Sequence, residues 1–485
     1  MLSCRRLLKW GTALGSAAGT AKAFAARLPR LGNVVPPGIA PQVKAASPSL
    51  TGKIFYKDGG ELYEIQRRGA VWNARKPNRF PNAIVLAESV DDVVAGVKLA
   101  KERNWQVGTR SGGHSFTASH TRDNSVLINI SKMKELSVDP KTRIATVSPA
   151  WLGDQFNKVI SEQHQFMFPT AHDPGVGLGG FVLSGGHGLN SRLWGPGCAN
   201  LEALDVVTAD GELIHADEKQ NSDYLWAARG AGPGFFGVAV RYYLNVHPLP
   251  TSRKRNVYAF EPEEFDEVAT WLRNTQNSLP GYMEAVMVAT TDKDKGKPVL
   301  RMIATVQAYF EKDADAALAI FENAPVVKKA ISRNVNIPVT TFGSVSGITP
   351  GSRQMLDGVW TSAGPEKIIP LSRDAFTKFP TPQSFMFWMC WGPVQNLKKD
   401  MCYSLQGDCY LSTNAISFDA KDDEKSAAWC KEVVGKLQPI ANGSQMNDEN
   451  MPQNKGPYLS KDSAAKLEVL RKKYDPQRRF VSYLS

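Results

Sequence analysis

Residues 173–192 read DPGVGLGGFVLSGGHGLNSR, and two more glycine-rich segments flank this stretch, RSGGHSF at 110–116 and RGAGPGFFGV at 229–238. Glycine lets backbone N–H groups approach an anion with no Cβ in the way, and consecutive N–H groups form an anion-binding concavity. A single cluster fits an ordinary turn equally well. Three clusters in one chain favour a site for a diphosphate-bearing ligand.

Two literal GxGxxG matches occur within these segments, at 175–180 and at 232–237. A nicotinamide-binding fingerprint must follow a strand and open a helix. The second match instead follows the helix-like SDYLWAARG and leads into the strand-like VAVRYYLNVHPL. The first sits among more glycines, and we expect no helix after it. Both contexts argue against a Rossmann site.

The segments around the glycine clusters predict a strand-rich α+β half of the molecule. The sequence from Asn82 to Gly108 predicts a strand, an amphipathic helix capped at Ser89 and a second strand at 106–108. Residues 125–151 predict two or three strands with a turn at 139–140. Residues 201–216 predict a hairpin that turns at 210–211.

A second domain is predicted between residues 251 and 440, where long alternating segments such as PVLRMIATVQAYF and SFMFWMCWGPV are separated by helical stretches. Such alternation is typical of an antiparallel sheet with one covered face. A last helix is expected at DSAAKLEVLRKKYDP. The predicted fold class is therefore α+β, with a sheet domain inserted before a C-terminal segment.

An ordered set of motifs carries a family resemblance: PNAIVLAESVDDVVAGVKLA, RSGGHS, FPTAHDPGVGLGGFVLSGGHGLNSRLWG, LDVVTADGEL, DYLWAARGAGPGFFGV and LRKKYDPQRRF. This set closely resembles the vanillyl-alcohol-oxidase-type flavoproteins, specifically the berberine-bridge-enzyme-like oxidases. The resemblance implies a two-part FAD-binding domain of the PCMH type. It is formed by residues 51–250, with a core at about 77–249, and residues 441–485. An antiparallel-sheet substrate domain at 251–440 would cover the flavin.

His114 lies in the RSGGHS motif, where the family's matching histidine is bonded to the 8α-methyl group of the flavin. The bond needs a neutral imidazole nitrogen held against an electrophilic carbon. The cysteine that makes a second bond in some relatives aligns with Asp173. The resemblance therefore implies FAD attached through His114 alone. A loop histidine without a bond to flavin is the alternative.

The same resemblance implies a larger set of cofactor-binding residues. The family's matching positions contact flavin or its diphosphate, many through backbone N–H groups. They are Arg110, Ser111, Gly112, Gly113, His114, Ser115, Pro169, Gly177, Gly179, Gly180, Ser184, Gly185, Gly186, Gly188, Gly237 and Val238. Ala199 departs from the family, whose members usually carry an acid there.

Candidate catalytic residues are His187, His172 and Asn447. His187 in SGGHG stands where relatives commonly carry an aromatic or small residue, so it is a candidate base or substrate hydrogen-bond donor, with packing at the flavin edge as the alternative. Asn447 keeps the asparagine of the family's tyrosine-any-asparagine-glutamate stretch, whereas Gln445 replaces the tyrosine. No histidine follows His247, so a base from the second domain must be Tyr, Glu, Asp or Lys.

The segment SFMFWMCWG separates its side chains onto two faces of a strand. Phe385, Phe387, Met389 and Trp391 share one face, and Met386, Trp388 and Cys390 share the other. We expect one face to pack on helices and the other to line a pocket or to pack in the core. If it lines the pocket, the substrate is apolar or aromatic rather than a plain sugar.

The first 26 residues, MLSCRRLLKWGTALGSAAGTAKAFAA, resemble a twin-arginine export signal, with Arg5-Arg6 before a weakly apolar stretch and small-residue cleavage sites. An amphipathic start to the first domain is the alternative. Residues 27–50, rich in Pro, Ala and Ser, predict a linker. The expected location is periplasmic or secreted, and no apolar stretch is long enough for a membrane span.

Charge and cysteine usage exclude other classes of function. The net charge of +11 includes four basic residues before residue 27, and no Lys/Arg run suits a nucleic acid. Six cysteines are present, and Cys402 with Cys409 are placed to close a short loop. No CxxC spacing occurs, which argues against a structural zinc site, and no metal is predicted.

These observations predict an exported FAD-dependent oxidoreductase that oxidises a C–OH or C–N bond of a small organic substrate. The acceptor is oxygen in an oxidase, or a cytochrome or quinone in a dehydrogenase. A non-catalytic binding protein that keeps the flavoprotein fold is the alternative of another class. An NAD(P)H-dependent reductase of the same fold is disfavoured by the export signal.

Overall fold

The computed structural model describes residues 50, 53–338, 349–395, 397, 400–446, 450, 452–454 and 456–483. The predicted export signal, the linker before Leu50 and the candidate residue Asn447 lie outside the described residues. Within the described part of the chain, none of the helices combines the length and apolar character that a membrane crossing requires.

The first sheet is built around the predicted β-α-β passage. Its elements are β1 (Ile54–Tyr56), α1 (Gly60–Gly69), β2 (Ala83–Leu86), α2 (Val90–Glu102), β3 (Gln106–Arg110) and β4 (Ser125–Asn129). The strand order is β1-β2-β4-β3, and β2 and β3 both run parallel to β4. Helix α2 begins at the predicted cap, because the Ser89 side chain accepts from the Asp92 backbone and the Asp92 carboxylate accepts in return.

A second, five-stranded sheet lies in the part of the chain that contains two of the three glycine-rich segments. The elements in this part of the chain are β5 (Leu136–Asp139), β6 (Ile144–Val147), α3 (Gly153–His164), β7 (Phe166–Met167), α4 (Leu178–Leu183), α5 (Ser191–Trp194), β8 (Leu201–Val207), β9 (Leu213–Ala216), α6 (Ser222–Ala228), β10 (Val238–Asn245) and β11 (His247–Pro248). The order β5-β6-β10-β8-β9 is antiparallel, and the hairpin predicted at 210–211 joins β8 to β9.

Helix α4 corrects one expectation, because a helix begins within the first GxGxxG match, at Leu178, and continues past it. It holds only six residues, and Phe181 and Val182 are buried in the main core. The match still lacks the strand directly before it that a Rossmann site requires, since the nearest strand, β7, ends at Met167.

The second domain is a seven-stranded antiparallel sheet with helices on one face. Its elements are β12 (Ser252–Phe260), α7 (Phe265–Thr275), β13 (Met283–Thr291), β14 (Pro298–Ala308), α8 (Glu311–Ala319), β15 (Ala330–Asn336), β16 (Arg353–Thr361), α9 (Pro365–Ser372), β17 (Phe385–Cys390), β18 (Cys409–Ser417) and α10 (Asp423–Leu437). The order is β15-β12-β14-β13-β17-β18-β16. One apolar core joins the four helices to this sheet.

The C-terminal segment returns to the first half of the molecule. After α11 (Lys461–Tyr474), the Val107 amide of β3 donates to the Arg479 carbonyl at 2.7 Å, and the Val481 amide donates to the Val107 carbonyl at 3.0 Å. The final residues thus extend the edge of the first sheet. The α+β fold, with its two-part first half and its antiparallel sheet, is as predicted.

The short loop that Cys402 and Cys409 could close by a disulfide is not formed, because both are buried free thiols. The Cys409 thiol donates to Oε1 of Gln276 at 3.0 Å. Cys402 instead packs in the main apolar core of the first half of the molecule. Packing, rather than loop closure, accounts for both positions.

Candidate active site

A cavity of about 440 Å³ lies between the glycine-rich segments and the open face of the seven-stranded sheet. Small-molecule and cofactor sites are commonly of this size. On the sheet side the lining residues fall at alternate positions of the strands, as one face of a sheet requires. They are Glu284, Val286, Val288, Ile303, Thr305, Gln354, Leu356, Trp360, Phe385, Phe387, Met389, Tyr410, Ser412 and Asn414.

The opposite wall is formed by two glycine segments that approach backbone to backbone. A Cβ at Gly112 would lie 2.7 Å from the Gly177 nitrogen, and a Cβ at Gly179 would lie 2.5 Å from Oγ of Ser111. Gly113 has a φ of +74°, which side chains rarely adopt. Only glycine permits this contact, so the segments present main-chain atoms to the cavity.

Arg110 supplies buried positive charge beside this wall. Its guanidinium donates to Oδ1 of Asn129 at 3.2 Å and to the Gly112 carbonyl at 3.1 Å. Burial lowers its pKa below the ordinary value for arginine. Its Nε has no hydrogen-bond partner among the described residues. An unpartnered guanidinium nitrogen beside exposed main chain fits the diphosphate of FAD.

His114 stands in the cavity wall as a neutral imidazole. Burial lowers its pKa to about 4. Its ring stacks on Trp72, and the edge of Phe116 closes a second side. Its Nε2 has no hydrogen-bond partner in the described structure, and the nearest acidic atom, Oδ1 of Asp173, lies 3.8 Å away. A neutral, unpartnered ring nitrogen is what a bond to the flavin requires.

His187 lines the cavity inside an aromatic cage. Its ring centroid lies 5.0 Å from that of Trp360, 4.7 Å from that of Trp391 and 5.3 Å from that of Tyr403. Its Nε2 lies 2.6 Å from Oη of Tyr403, which donates to Oε1 of Gln406 at 3.1 Å. Burial lowers the pKa of His187 to about 3. The imidazole is therefore neutral.

His172 also lines the cavity, and it is paired with an acidic residue of the second domain. Its Nε2 lies 2.9 Å from Oε2 of Glu284, which is on β13. The other carboxylate oxygen of Glu284 accepts from the Asn190 amide at 3.1 Å. Of the two histidines proposed as catalytic, His172 thus has an acidic partner, whereas His187 has a tyrosine hydroxyl.

Most of the predicted cofactor-binding residues line the cavity. Those that do are the residues from Arg110 to Ser115 together with Gly177, Gly179, Gly180, Ser184 and Gly237. Five others are not among the residues that line it: Pro169, Gly185, Gly186, Gly188 and Val238. Gly188 is closely packed, because a Cβ would lie 1.9 Å from the Thr170 carbonyl oxygen.

The alternation of residues 385–391 gives the expected two faces. Phe385, Phe387 and Met389 line the cavity. Met386, Trp388 and Cys390 pack in the core beneath the helices. Trp391, which follows the strand, packs on His187 rather than lining the cavity.

Two residues of the site were not predicted from the sequence. Tyr403 lies 216 positions after His187, and no local pattern links them. Glu284 carried a usable signal, because it is the only charged residue in the strand MEAVMVATT. An acid in an otherwise apolar strand is buried only with partners.

Known proteins resemble this chain over nearly its whole length. Residues 81–217 match the family described as FAD binding domain. The chain is 31% identical to the FAD-linked oxidoreductase nodO of Hypoxylon pulicicidum, over 85% of this chain and 92% of the relative. It is 30% identical to the FAD-linked oxidoreductase janO of Penicillium janthinellum, over 88% of this chain and 96% of the relative.

Among solved structures, the fold is similar to that of 6-hydroxy-D-nicotine oxidase from Arthrobacter nicotinovorans. The TM-score is 0.76 with 20% identity, over 90% of this chain and 98% of that one. The wild-type BBE-like 1 protein of Physcomitrella patens gives a TM-score of 0.75 with 16% identity, over 89% of this chain and 96% of that one. With glycine-rich segments that suit FAD and relatives matched along most of their length, the chain belongs to the FAD-linked oxidoreductases.

Proposed function

We propose that this enzyme carries FAD bonded to His114 alone and oxidises a C–OH or C–N bond of a small apolar or aromatic molecule, with oxygen as the acceptor. The observation that carries the proposal is the neutral His114 imidazole in the cavity wall, with an Nε2 that has no hydrogen-bond partner among the described residues. Asp173 stands where a second, cysteine linkage would need a thiol.

Bound flavin supplies a two-electron acceptor that takes a hydride from a substrate C–H. The segment from Arg110 to Ser115 and the glycines at 177, 179 and 180 would hold its diphosphate through backbone N–H groups and the Arg110 charge. Desolvation keeps a lone pair on His114, and the stacked Trp72 ring fixes the direction of that imidazole.

The substrate class follows from the sheet side of the cavity. Trp360, Phe385, Phe387 and Tyr410 present four aromatic rings, and the sheet contributes Glu284 as its only acidic group among the described lining residues. Aromatic faces of this extent favour apolar and aromatic ligands. The O–H or N–H proton of such a substrate needs an acceptor, for which His187 and His172 are candidates. Asn447 stays a candidate for contact with flavin or substrate.

An exported dehydrogenase that passes electrons to a cytochrome or quinone is the second candidate. Proteins of this fold are described as oxidases, such as the 6-hydroxy-D-nicotine oxidase above, and as dehydrogenases, such as a grass pollen allergen with glucose dehydrogenase activity. The proposed location, periplasmic or secreted after a twin-arginine-type signal at residues 1–26, suits either acceptor.

Acid precipitation of the purified protein tests the cofactor proposal. We expect the pellet to stay yellow with one FAD mass on the polypeptide, and His114→Ala to release its FAD into the supernatant. Bonded flavin in the His114→Ala variant would contradict the linkage. A colourless protein of unmodified mass would favour a non-catalytic binding protein instead. Hydrogen peroxide released during aerobic turnover separates the oxidase from the dehydrogenase.

A further inference from the structure

The contact between His172 and Glu284 joins the two halves of the molecule inside the cavity. His172 lies in the segment between β7 and α4, whereas Glu284 lies on β13. Their side chains meet at 2.9 Å, and both line the cavity. The Glu284 side chain is only 8% exposed, while that of His172 is 22% exposed. The carboxylate is therefore behind the imidazole, away from solvent.

The protonation state of the pair follows from its hydrogen bonds. Burial alone would raise the pKa of Glu284, but the His172 contact, the Asn190 amide and the charge of Arg253 hold that pKa below its ordinary value. An ionised carboxylate can only accept hydrogen bonds. The hydrogen between the two residues is therefore on Nε2 of His172, and the lone pair of the neutral imidazole is on Nδ1.

We propose that Nδ1 of His172 accepts the substrate proton, and that Glu284 is the positioning residue that fixes the His172 tautomer and stabilises the resulting imidazolium. The step rests on the proposed function. The substrate O–H or N–H bond breaks as the new N–H bond forms. The electron pair left on oxygen or nitrogen completes a C=O or C=N bond while the adjacent hydrogen leaves with its two electrons to the flavin.

His187 lacks the features that this role requires. Its neighbours are Trp360, Trp391 and Tyr403, and among the described residues it forms no ion pair with an acid. A proton taken up there would create a buried charge without a counter-charge. A buried carboxylate in contact with His172 removes that cost. The geometry therefore separates two imidazoles that the sequence leaves equivalent.

The charges around the pair come from several elements, and they set the pH dependence. Arg253 and Arg255 on β12 and the fully buried Arg192 act on Glu284, while burial and the nearby His172 lower the pKa of His187. The three guanidinium groups keep Glu284 ionised across the range in which histidine titrates.

Ring-nitrogen NMR of protein labelled with ¹⁵N-histidine tests the pair without any substrate. The flavin-loaded protein is titrated, and His172→Gln assigns the signal, because glutamine keeps a donor for Glu284 but cannot titrate. We expect a neutral His172 with its proton on Nε2. Glu284→Gln should lower the titration midpoint by about one pH unit or more, and Glu284→Asp should restore part of the shift. Glu135→Gln, a solvent-exposed carboxylate, is the matched control and should leave the midpoint unchanged.

A proton on Nδ1 in the neutral ring, or an unchanged midpoint in Glu284→Gln, would overturn the proposal.

The kinetic test is anaerobic flavin reduction by benzylamine and by 4-methoxybenzyl alcohol. His172→Gln should slow the reduction by about 100-fold or more, and Glu284→Gln should move the rate profile along the pH axis. An unchanged rate in His172→Gln would also overturn it. If neither compound reduces the flavin, the proposed substrate class fails, and the NMR result alone decides for or against the pair.

Discussion

The imidazole of His114 lies flat against the indole of Trp72, with ring centroids 4.6 Å apart and 16° between the ring planes. The Trp72 amide also donates to the Gly113 carbonyl at 3.3 Å, so a ring contact and a backbone bond hold the same short segment. Phe116 meets both rings edge-on. These contacts give the imidazole one orientation, which determines the position of the nitrogen proposed to bond the flavin.

Replacement of Trp72 by Leu should slow covalent attachment of FAD without preventing its binding. Aromatic pairs contribute about 0.5–1.5 kcal/mol beyond burial, so the loss of orientation should slow attachment by up to about tenfold. The measurement is the fraction of flavin that stays with acid-precipitated protein at intervals after FAD is added to apoprotein. Trp72→Phe keeps an aromatic face and is the control. Equal rates in the Leu variant and the parent would show that the stacking does not orient His114.

Substitution of Gly112 by Ala should destabilise the fold and lower its flavin content together. The new Cβ would meet the Gly177 nitrogen at 2.7 Å, and a backbone atom has little freedom to move away. Gly435→Ala is the matched control, because that glycine lies in α10 with no atom within 4 Å of the new Cβ. We expect the control to gain roughly 0.5–1 kcal/mol. Urea unfolding and the flavin-to-protein absorbance ratio test both; a Gly112→Ala protein as stable as the parent would contradict the close approach.

The elements that sequence reasoning located are those with a local cause. Helix α2 begins at Ser89 because a capping box and an amphipathic period coincide there. The two faces of β17 follow from strict alternation, so Phe387 and Trp388 could be assigned to opposite sides. In each case the information lies within a dozen residues of sequence.

The elements that it missed depend on packing between distant segments. Helix α4 contains Gly179 and Gly180, and each glycine costs about 1 kcal/mol relative to alanine in a helix. Intrinsic helix propensity therefore disfavours the helix that the structure shows. The burial of Phe181 stabilises it instead. The partners of the two candidate histidines, Tyr403 and Glu284, come from the far half of the chain, and no spacing rule connects them.

Arg192 should be essential for the stability of the site. Its fully buried guanidinium donates to backbone carbonyls of the second domain, including those of Pro280, Met283 and Trp391. Arg192→Met would leave several buried acceptors unsatisfied, and a loss of about 3 kcal/mol or more is expected in chemical unfolding. The control is Arg373→Met, which removes a solvent-exposed ion pair with Asp266 and should cost far less stability. Similar losses in both variants would mean that these carbonyls find other donors.

The contact between His215 and Asp205 should make stability depend on pH. Nδ1 of His215 lies 2.6 Å from Oδ1 of Asp205, and this hydrogen bond raises the pKa of His215, against the effect of burial. The surrounding groups Asp217, Arg241 and Tyr243 belong to the same network. Because the pKa of His215 is higher in the folded chain than in the unfolded chain, protonated His215 stabilises the fold. This stabilisation is complete below the unfolded-state pKa of about 6.5, and it is lost as the pH rises through the folded-state pKa.

His215→Asn isolates this effect, because the asparagine amide can still donate to Asp205 but does not titrate. The pH dependence of the parent's stability does not isolate His215, because four other histidines contribute with the opposite sign. Burial lowers the pKa of each of these: His114, His120, His187 and His247. The difference in unfolding free energy between parent and variant should be largest at about pH 5.5 and should decline towards about pH 8.5. Urea unfolding at intervals across that range measures it. A difference that is constant with pH would mean that His215 keeps the same protonation state in the folded and unfolded chains.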